Sequence, residues 1–570
     1  MCLRMSSFVR RLRIATVLNF AATEFIPSCN LNGYASAMNP LRLFVLLAVW
    51  PSVVAAASRN VVDYGAVPEG KTLNTAALNR LVAETSAAGG GTVLFPAGTY
   101  LTGTIYLKSN VTLQLEAGAV ILGSTELADY PENAPPRPGG RLEWGRFALI
   151  CAENQHDVAI IGQGRINGQG HHPNFTKKDL IARGWSKDDA YRKRPYGISF
   201  VHCRGVRVEG VTLEDLAMWC EDYLDCDDVV VRGVTVDSMK NDYNNDGIDI
   251  DGCRHMRVSD CHFNTGDDSI CFKSSYSACE NIVITNCTGT SLANGVKFGT
   301  ASVVGFKNIT ISNLTFDRVG ASGIALEIVD GGTMEGVALS NITMREVSTA
   351  ILIRLGNRGA RWTNDQEKPG IGILRNVSID HVVALVRERD AKALASSITG
   401  LAGHPVENVS LSNIQIVSQR PHPRADGDVA LAAIPEAEKA YPENDMFGPL
   451  PAYGLFVRHV RGLKLRNVDV TFTGSDFRSA LVGHDVEDLV VDGLTARSSK
   501  ESKPVIMLAD ARRATLANAV ALADTPTFLR VEGVSAGIAL VGCNLAAART
   551  AVERGNGVPA DAVVIGDNRK

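Results

Sequence analysis

From about residue 200 to the C-terminus one short phrase keeps returning at nearly constant spacing, and few folds can accommodate it. It is a polar residue or Gly followed by alternating apolar positions, as in Asp228-Val229-Val230-Val231, Asn281-Ile282-Val283-Ile284 and Asn308-Ile309-Thr310-Ile311. Gly205-Val206, Gly336-Val337, Asn376-Val377, Asn408-Val409, Gly462-Leu463 and Asp488-Leu489 continue it. Starts at 228, 255, 281, 308 and 336 are 27, 26, 27 and 28 residues apart. One copy cannot bury its apolar side, but stacked copies build a continuous core. The L-x-x-L-x-L spacing of a leucine-rich repeat is missing, and a propeller blade needs about 40 residues. An all-β solenoid, a single right-handed parallel β-helix, fits the period. Residues 74–87 alone place apolar groups (Leu78, Leu81, Val82) at helical spacing, and this short N-terminal helix is expected to cap the open end of the coil. Residues 131–138 and 421–451, rich in Pro, read as surface loops.

Composition narrows the class further. With 57 Lys+Arg against 61 Asp+Glu, the net charge of −4 carries no electrostatic footprint for nucleic acid. Met38 and Arg42, the apolar run 43–50 and Ala55-Ala56-Ala57 have the layout of a secretory signal peptide cut after Ala57. Residues 1–57 are therefore expected to be a targeting segment and 58–570 the β-helix. The protein is expected to be secreted or periplasmic, free of the membrane after cleavage, and monomeric. Cys203, Cys226, Cys253 and Cys279 fall at one-turn spacing, as do Cys261 and Cys287. Parallel Cβ vectors favour a buried thiol ladder over disulfides. With no C-x-x-C zinc spacing, no metal or other cofactor is expected.

Aligning the turns predicts a site. In Asn245-Asp246-Gly247-Ile248, Asp267-Asp268-Ser269-Ile270, Ala293-Asn294-Gly295-Val296 and Ala321-Ser322-Gly323-Ile324, each closing apolar residue begins an equivalent strand. Asp246, Asp268, Asn294 and Ser322 then share one column. Adjacent turns lie about 4.8 Å apart, so Asp246 and Asp268 stack, with Asp267 beside them. Three carboxylates this close cannot all ionise freely, and such a split suits general acid–base chemistry. Asp242-Tyr243-Asn244-Asn245-Asp246-Gly247 also matches the first half of a calcium loop, but its twelfth position is Cys253, not Glu.

Asn244-Asn245-Asp246-Gly247-Ile248-Asp249, with Asp267-Asp268 following, resembles the NTDGxD…DD signature of glycoside hydrolase family 28, the polygalacturonase family. VVDYG at 61–65, GTVLFPAGTY at 91–100 and GRINGQG at 164–170 resemble it too. The resemblance implies inverting hydrolysis of a pectic polysaccharide or oligosaccharide in turns at roughly 200–360. By it, Asp267 is the general acid, Asp246 and Asp268 hold and activate the water, and Asp249, the last residue of the motif, is a substrate-binding candidate. Trp219 matches a Trp that precedes the catalytic strands and is expected to wall the cleft or pack in the core.

The departures are as informative. Polygalacturonases carry Gly-His-Gly where this chain has Ala293-Asn294-Gly295, and Arg-Ile-Lys where it has Ala325-Leu326-Glu327. Glu327 in place of a Lys is expected to repel a uronate. Lys297 and Arg354, the latter one turn beyond Glu327, are the nearby basic candidates for sugar binding, alongside Asn294. A hydrolytic centre beside a rebuilt leaving-group subsite points to a linkage other than plain polygalacturonan, such as rhamnogalacturonan or a decorated galacturonan side chain. Two alternatives stay open: a polysaccharide lyase on the same fold, and a non-catalytic carbohydrate-binding β-helix.

Overall fold

The repeated polar residue is a backbone corner. Gly205, Asp228, His255, Asn281, Asn308, Gly336, Asn376, Asn408, Gly462 and Asp488 all have φ between 52° and 74°, the left-handed region that Gly, Asn and Asp tolerate and β-branched residues do not. The corner turns the chain from one face of the coil to the next. Asn side chains tie successive corners together: Asn308 Nδ2 donates to Asn281 Oδ1 at 2.7 Å. The apolar residues after each corner stack in parallel register, Ile282 on Ile309, Ile309 on Val337, Val337 on Val377 and Val377 on Val409.

The computed structural model describes residues 57–131, 147–239, 244–363, 366–387, 394–419 and 422–569. The expected signal segment up to residue 56, Asp242 and Tyr243 of the calcium-like loop, and 132–138 of the first Pro-rich loop lie outside them. Among the described residues every strand ladder is parallel, and the chain is a right-handed parallel β-helix. The helix Thr75–Ala87 buries Leu78, Leu81 and Val82 against the first turns, as its spacing predicts. Of three further short α-helices among the described residues, Lys177–Ala182 and Lys187–Arg192 carry no clear periodic signal in the sequence. Each begins at a hydroxyl, Thr176 or Ser186, that accepts from the amide three residues on, an N-cap that compensates for weak apolar periodicity.

The interior is one continuous apolar cluster running the length of the coil. Phe272 and Phe298 stack with ring centroids 4.3 Å apart, close to the spacing of neighbouring turns. Glu221 places a carboxyl within this interior. It occupies an interior column between Ile198 and Ile248, wholly buried, and accepts a 2.6 Å hydrogen bond from the Tyr223 hydroxyl. Burial pushes its carboxyl up to about 7. The ten described cysteines are all buried and free.

Candidate active site

The backbone brings the expected column together. Gly247 N donates to Asp268 O, Ser269 N to Asn294 O and Gly295 N to Ser322 O, while Ile248, Ile270, Val296 and Ile324 pair in succession. Asp246, Asp268 and Asn294 therefore sit one above another at the mouth of one sheet. Next along the strands, Asp249, Cys271 and Lys297 form a second column on the outward face.

The carboxylates are buried and differently held. Asp268 Oδ1 accepts from both the backbone N (3.0 Å) and side-chain Nδ2 (2.8 Å) of Asn294. Lys297 Nζ lies 3.7 Å from Asp268 Oδ2. Asp246 stands 4.0 Å from Lys273 Nζ, which is 2.8 Å from Asp249. Asp267 is half-buried, and its Oδ2 accepts from Asn244 N at 2.9 Å. Burial, then the Asp268 charge, pushes the Asp267 carboxyl up to about 6. Burial and the charges of Asp249 and Asp267 drive Asp246 upward too. A partly buried acid with a raised pKa beside buried Asp268, which accepts two hydrogen bonds from Asn294, is an arrangement able to donate a proton at one point and accept one at another.

Two lysines that the spacing did not single out as a pair complete the charge balance. Lys273 is stacked over Trp219, 4.6 Å from the ring centroid, and donates to Cys271 Sγ. Trp219 in turn packs on Tyr196 and remains slightly exposed, so it both walls the site and closes a small outer cluster. Burial pulls both ammonium groups down, but the surrounding acids outweigh it and hold both charged. The carboxylates of Asp246 and Asp268 and the Cys271 thiol have ligand atoms within 4.8 Å of one another, the one grouping among the described residues that could hold a metal; the Lys273 ammonium already lies against its sulfur.

Two insertions reach the site. From the helical insertion, the Tyr191 hydroxyl accepts from Asn244 Nδ2 at 3.0 Å, and buried Arg194 donates to Asn244 Oδ1 at 3.1 Å. From the Pro-rich segment 422–451, Glu443 accepts from Lys297 at 3.1 Å, and Tyr441 lies over the same ammonium, 5.1 Å from ring centroid to Nζ. No periodic signal in the sequence points to Tyr191, Tyr441 or Glu443, since each meets its partner across 50 or more residues.

The remaining candidates, Glu327 and Arg354, are both buried. Glu327 is wholly buried beneath Gly299, and neither carboxyl oxygen has a hydrogen-bond partner among the described residues; burial raises it well above the usual range. Arg354, 1% exposed, donates to the carbonyls of Gly400, Glu436 and Ala437 and anchors the Pro-rich segment on the sheet. Arg358 is paired with buried Asp330 and donates to Thr300 O.

A parallel β-helix bearing a buried carboxylate cluster at one sheet presents the paired groups that general acid–base chemistry needs. The sequence pattern of the glycosyl hydrolases family 28 matches residues 91–426, and the chain belongs to that family; it is an O-glycosyl hydrolase. A "Probable polygalacturonase" of Vitis vinifera is 27% identical over 380 residues, covering 63% of this chain and 74% of the relative. An "Exo-poly-alpha-D-galacturonosidase" of Dickeya chrysanthemi is 26% identical over 356 residues, covering 54% of this chain and 58% of the relative. The crystal structure of a hyperthermoactive exopolygalacturonase from Thermotoga maritima superposes with a TM-score of 0.53 at 24% identity, covering 64% of this chain and 87% of that one; it shares the fold.

Proposed function

We propose that this protein is an exported inverting hydrolase of pectic glycosides, with Asp267 as general acid and Asp246 and Asp268 as the pair that positions and deprotonates water. The observation that carries the reading is the contrast between partly buried Asp267, raised to about 6, and buried Asp268, whose near neighbours Asn294 and Lys297 are donors. In one displacement Asp267 gives its proton to the glycosidic oxygen as the bond to the anomeric carbon breaks. Water attacks that carbon from the opposite face and passes its proton to the Asp246–Asp268 pair. Inverting enzymes hold acid and base about 6.5–9.5 Å apart to admit that water.

The substrate reading follows from the cations. Lys297 is shared between two carboxylates, Arg354 holds backbone carbonyls, and Arg358 is tied to Asp330. None is left over to receive a uronate on the Lys297 side of the centre, which favours a pectic linkage with a neutral sugar there, as in rhamnogalacturonan. The lyase alternative needs a neutral basic side chain, and both lysines at the site are held charged.

The test is product analysis on homogalacturonan and rhamnogalacturonan, following reducing ends and ultraviolet absorbance together, with and without chelator. New reducing ends without absorbance, abolished in Asp267→Asn, support the hydrolase. Calcium-dependent absorbance would instead establish a lyase.

A further inference from the structure

Beside the catalytic column the structure holds a second recess with no part in the acid–base chemistry. It is a cavity of about 200 Å³ between the turns that enter the catalytic sheet and the Pro-rich segment. Ala293, Ala321 and Ser322 line it together with apolar Leu292 and Leu394 and the carboxylates of Glu443 and Asp445. It opens next to the reacting groups: Asn294, the residue after Ala293, bridges Asp268 and Glu443 through its Nδ2.

The recess is built rather than incidental. Asn444 holds its far wall in place, accepting from Ser397 Oγ at 2.9 Å and donating to Thr349 Oγ1 at 2.7 Å and Ala395 O at 2.8 Å. Ser348 donates to Gly320 O at 2.7 Å, which braces the lining. Ser322 Oγ, by contrast, has no hydrogen-bond partner among the described residues, and Leu292 at the rim is 56% exposed.

We infer that this recess is a subsite for one uncharged sugar residue of the substrate, seated with an apolar edge on Leu292 and Leu394 and hydroxyls toward Glu443. This rests on the hydrolase reading above. Size limits the guest: drug-sized ligands fill about 300–1,000 Å³, so a single ring fits and a disaccharide does not. Charge limits it too. Among the described residues two carboxylates and no cation line the recess, so a uronate beside them would lose its hydration without gaining a partner. A neutral sugar with a methyl or methylene edge, such as a 6-deoxyhexose, meets both walls.

The experiment compares full-length wild type with Ala321→Leu, which fills the recess, and Leu292→Ser, which removes its exposed apolar wall and leaves the core untouched. Rhamnogalacturonan oligosaccharides and oligogalacturonides of equal length are the two substrates. The ratio of kcat/KM for the first over the second should fall roughly ten- to hundredfold in Ala321→Leu, and several-fold in Leu292→Ser, chiefly through KM. An unchanged ratio in both variants overturns the subsite. If wild type hydrolyses neither oligosaccharide, the hydrolase reading fails and calorimetric binding of the same two ligands decides the recess. Selective loss of the rhamnose-containing ligand in the variants then sustains it. Equal binding by all three proteins, or no binding to wild type, overturns it.

Discussion

Glu443 accepts a hydrogen bond from Lys297 at 3.1 Å across 146 residues of chain. That contact couples the Pro-rich segment to the catalytic column, because the same ammonium lies 3.7 Å from Asp268. The segment is thereby part of the site's electrostatics, and its other anchors, the carbonyls held by Arg354 and Arg458, keep Glu443 where the lysine needs it.

Breaking that arrangement on one side should be costly. Lys297→Met leaves Asp268 and Glu443 facing each other without the buried cation, and removal of one partner of a buried pair costs about 3–5 kcal/mol. The double variant Lys297→Met/Glu443→Gln should recover part of this loss. Denaturant midpoints of the wild type, both single variants and the double variant measure the coupling; strict additivity would contradict it.

Asp267→Asn should lower kcat by about 10²–10⁴-fold while leaving the thermal midpoint unchanged or raised, since it removes a partly buried carboxyl crowded by Asp268. A comparable loss of activity accompanied by unfolding would point to a structural role for the residue.

The pH profile has a defined sign. Asp267 must carry its proton to act as an acid, and its pKa lies at about 6. The rate should therefore fall as pH rises above about 6, approaching tenfold per unit. Initial rates of reducing-end release between pH 4 and 8, on about one-unit steps, test this; a rate that rises through that window would assign the acid elsewhere.

Glu221 gives an independent prediction on stability. Its carboxyl is raised from 4.5 to about 7 in the fold, so the folded state binds more protons than the unfolded chain. The associated stability is present in full below about 4.5 and is lost as pH rises to about 7, a change of about 3 kcal/mol for this fully buried group. Glu221→Gln should be more stable than wild type at pH 8 and similar at pH 4, measured by urea unfolding. Parallel curves for the two proteins across that range would refute the assignment.

Much of this architecture was legible in the chain. The 26–28-residue period marks corners that only Gly, Asn, Asp and a few others can occupy with positive φ, and alternation between corners states which side chains point inward. From those two local rules the parallel register follows, and with it the stacking of Asp246, Asp268 and Asn294. The expected helix 74–87 follows from the same reasoning at a different period.

The charge state and reach of the site were settled only in three dimensions. Glu327 and Arg354 look alike in sequence as polar residues facing outward from the catalytic sheet, yet one is sealed beneath Gly299 and the other grips backbone carbonyls of a distant segment. Tyr191, Tyr441 and Glu443 lie on insertions that interrupt the repeat, so no period relates them to the column they complete. Periodicity encodes contacts between neighbouring turns, where backbone hydrogen bonds impose the spacing. Where an insertion lands, and which buried charge it neutralises, depends on packing and desolvation summed over the assembled fold.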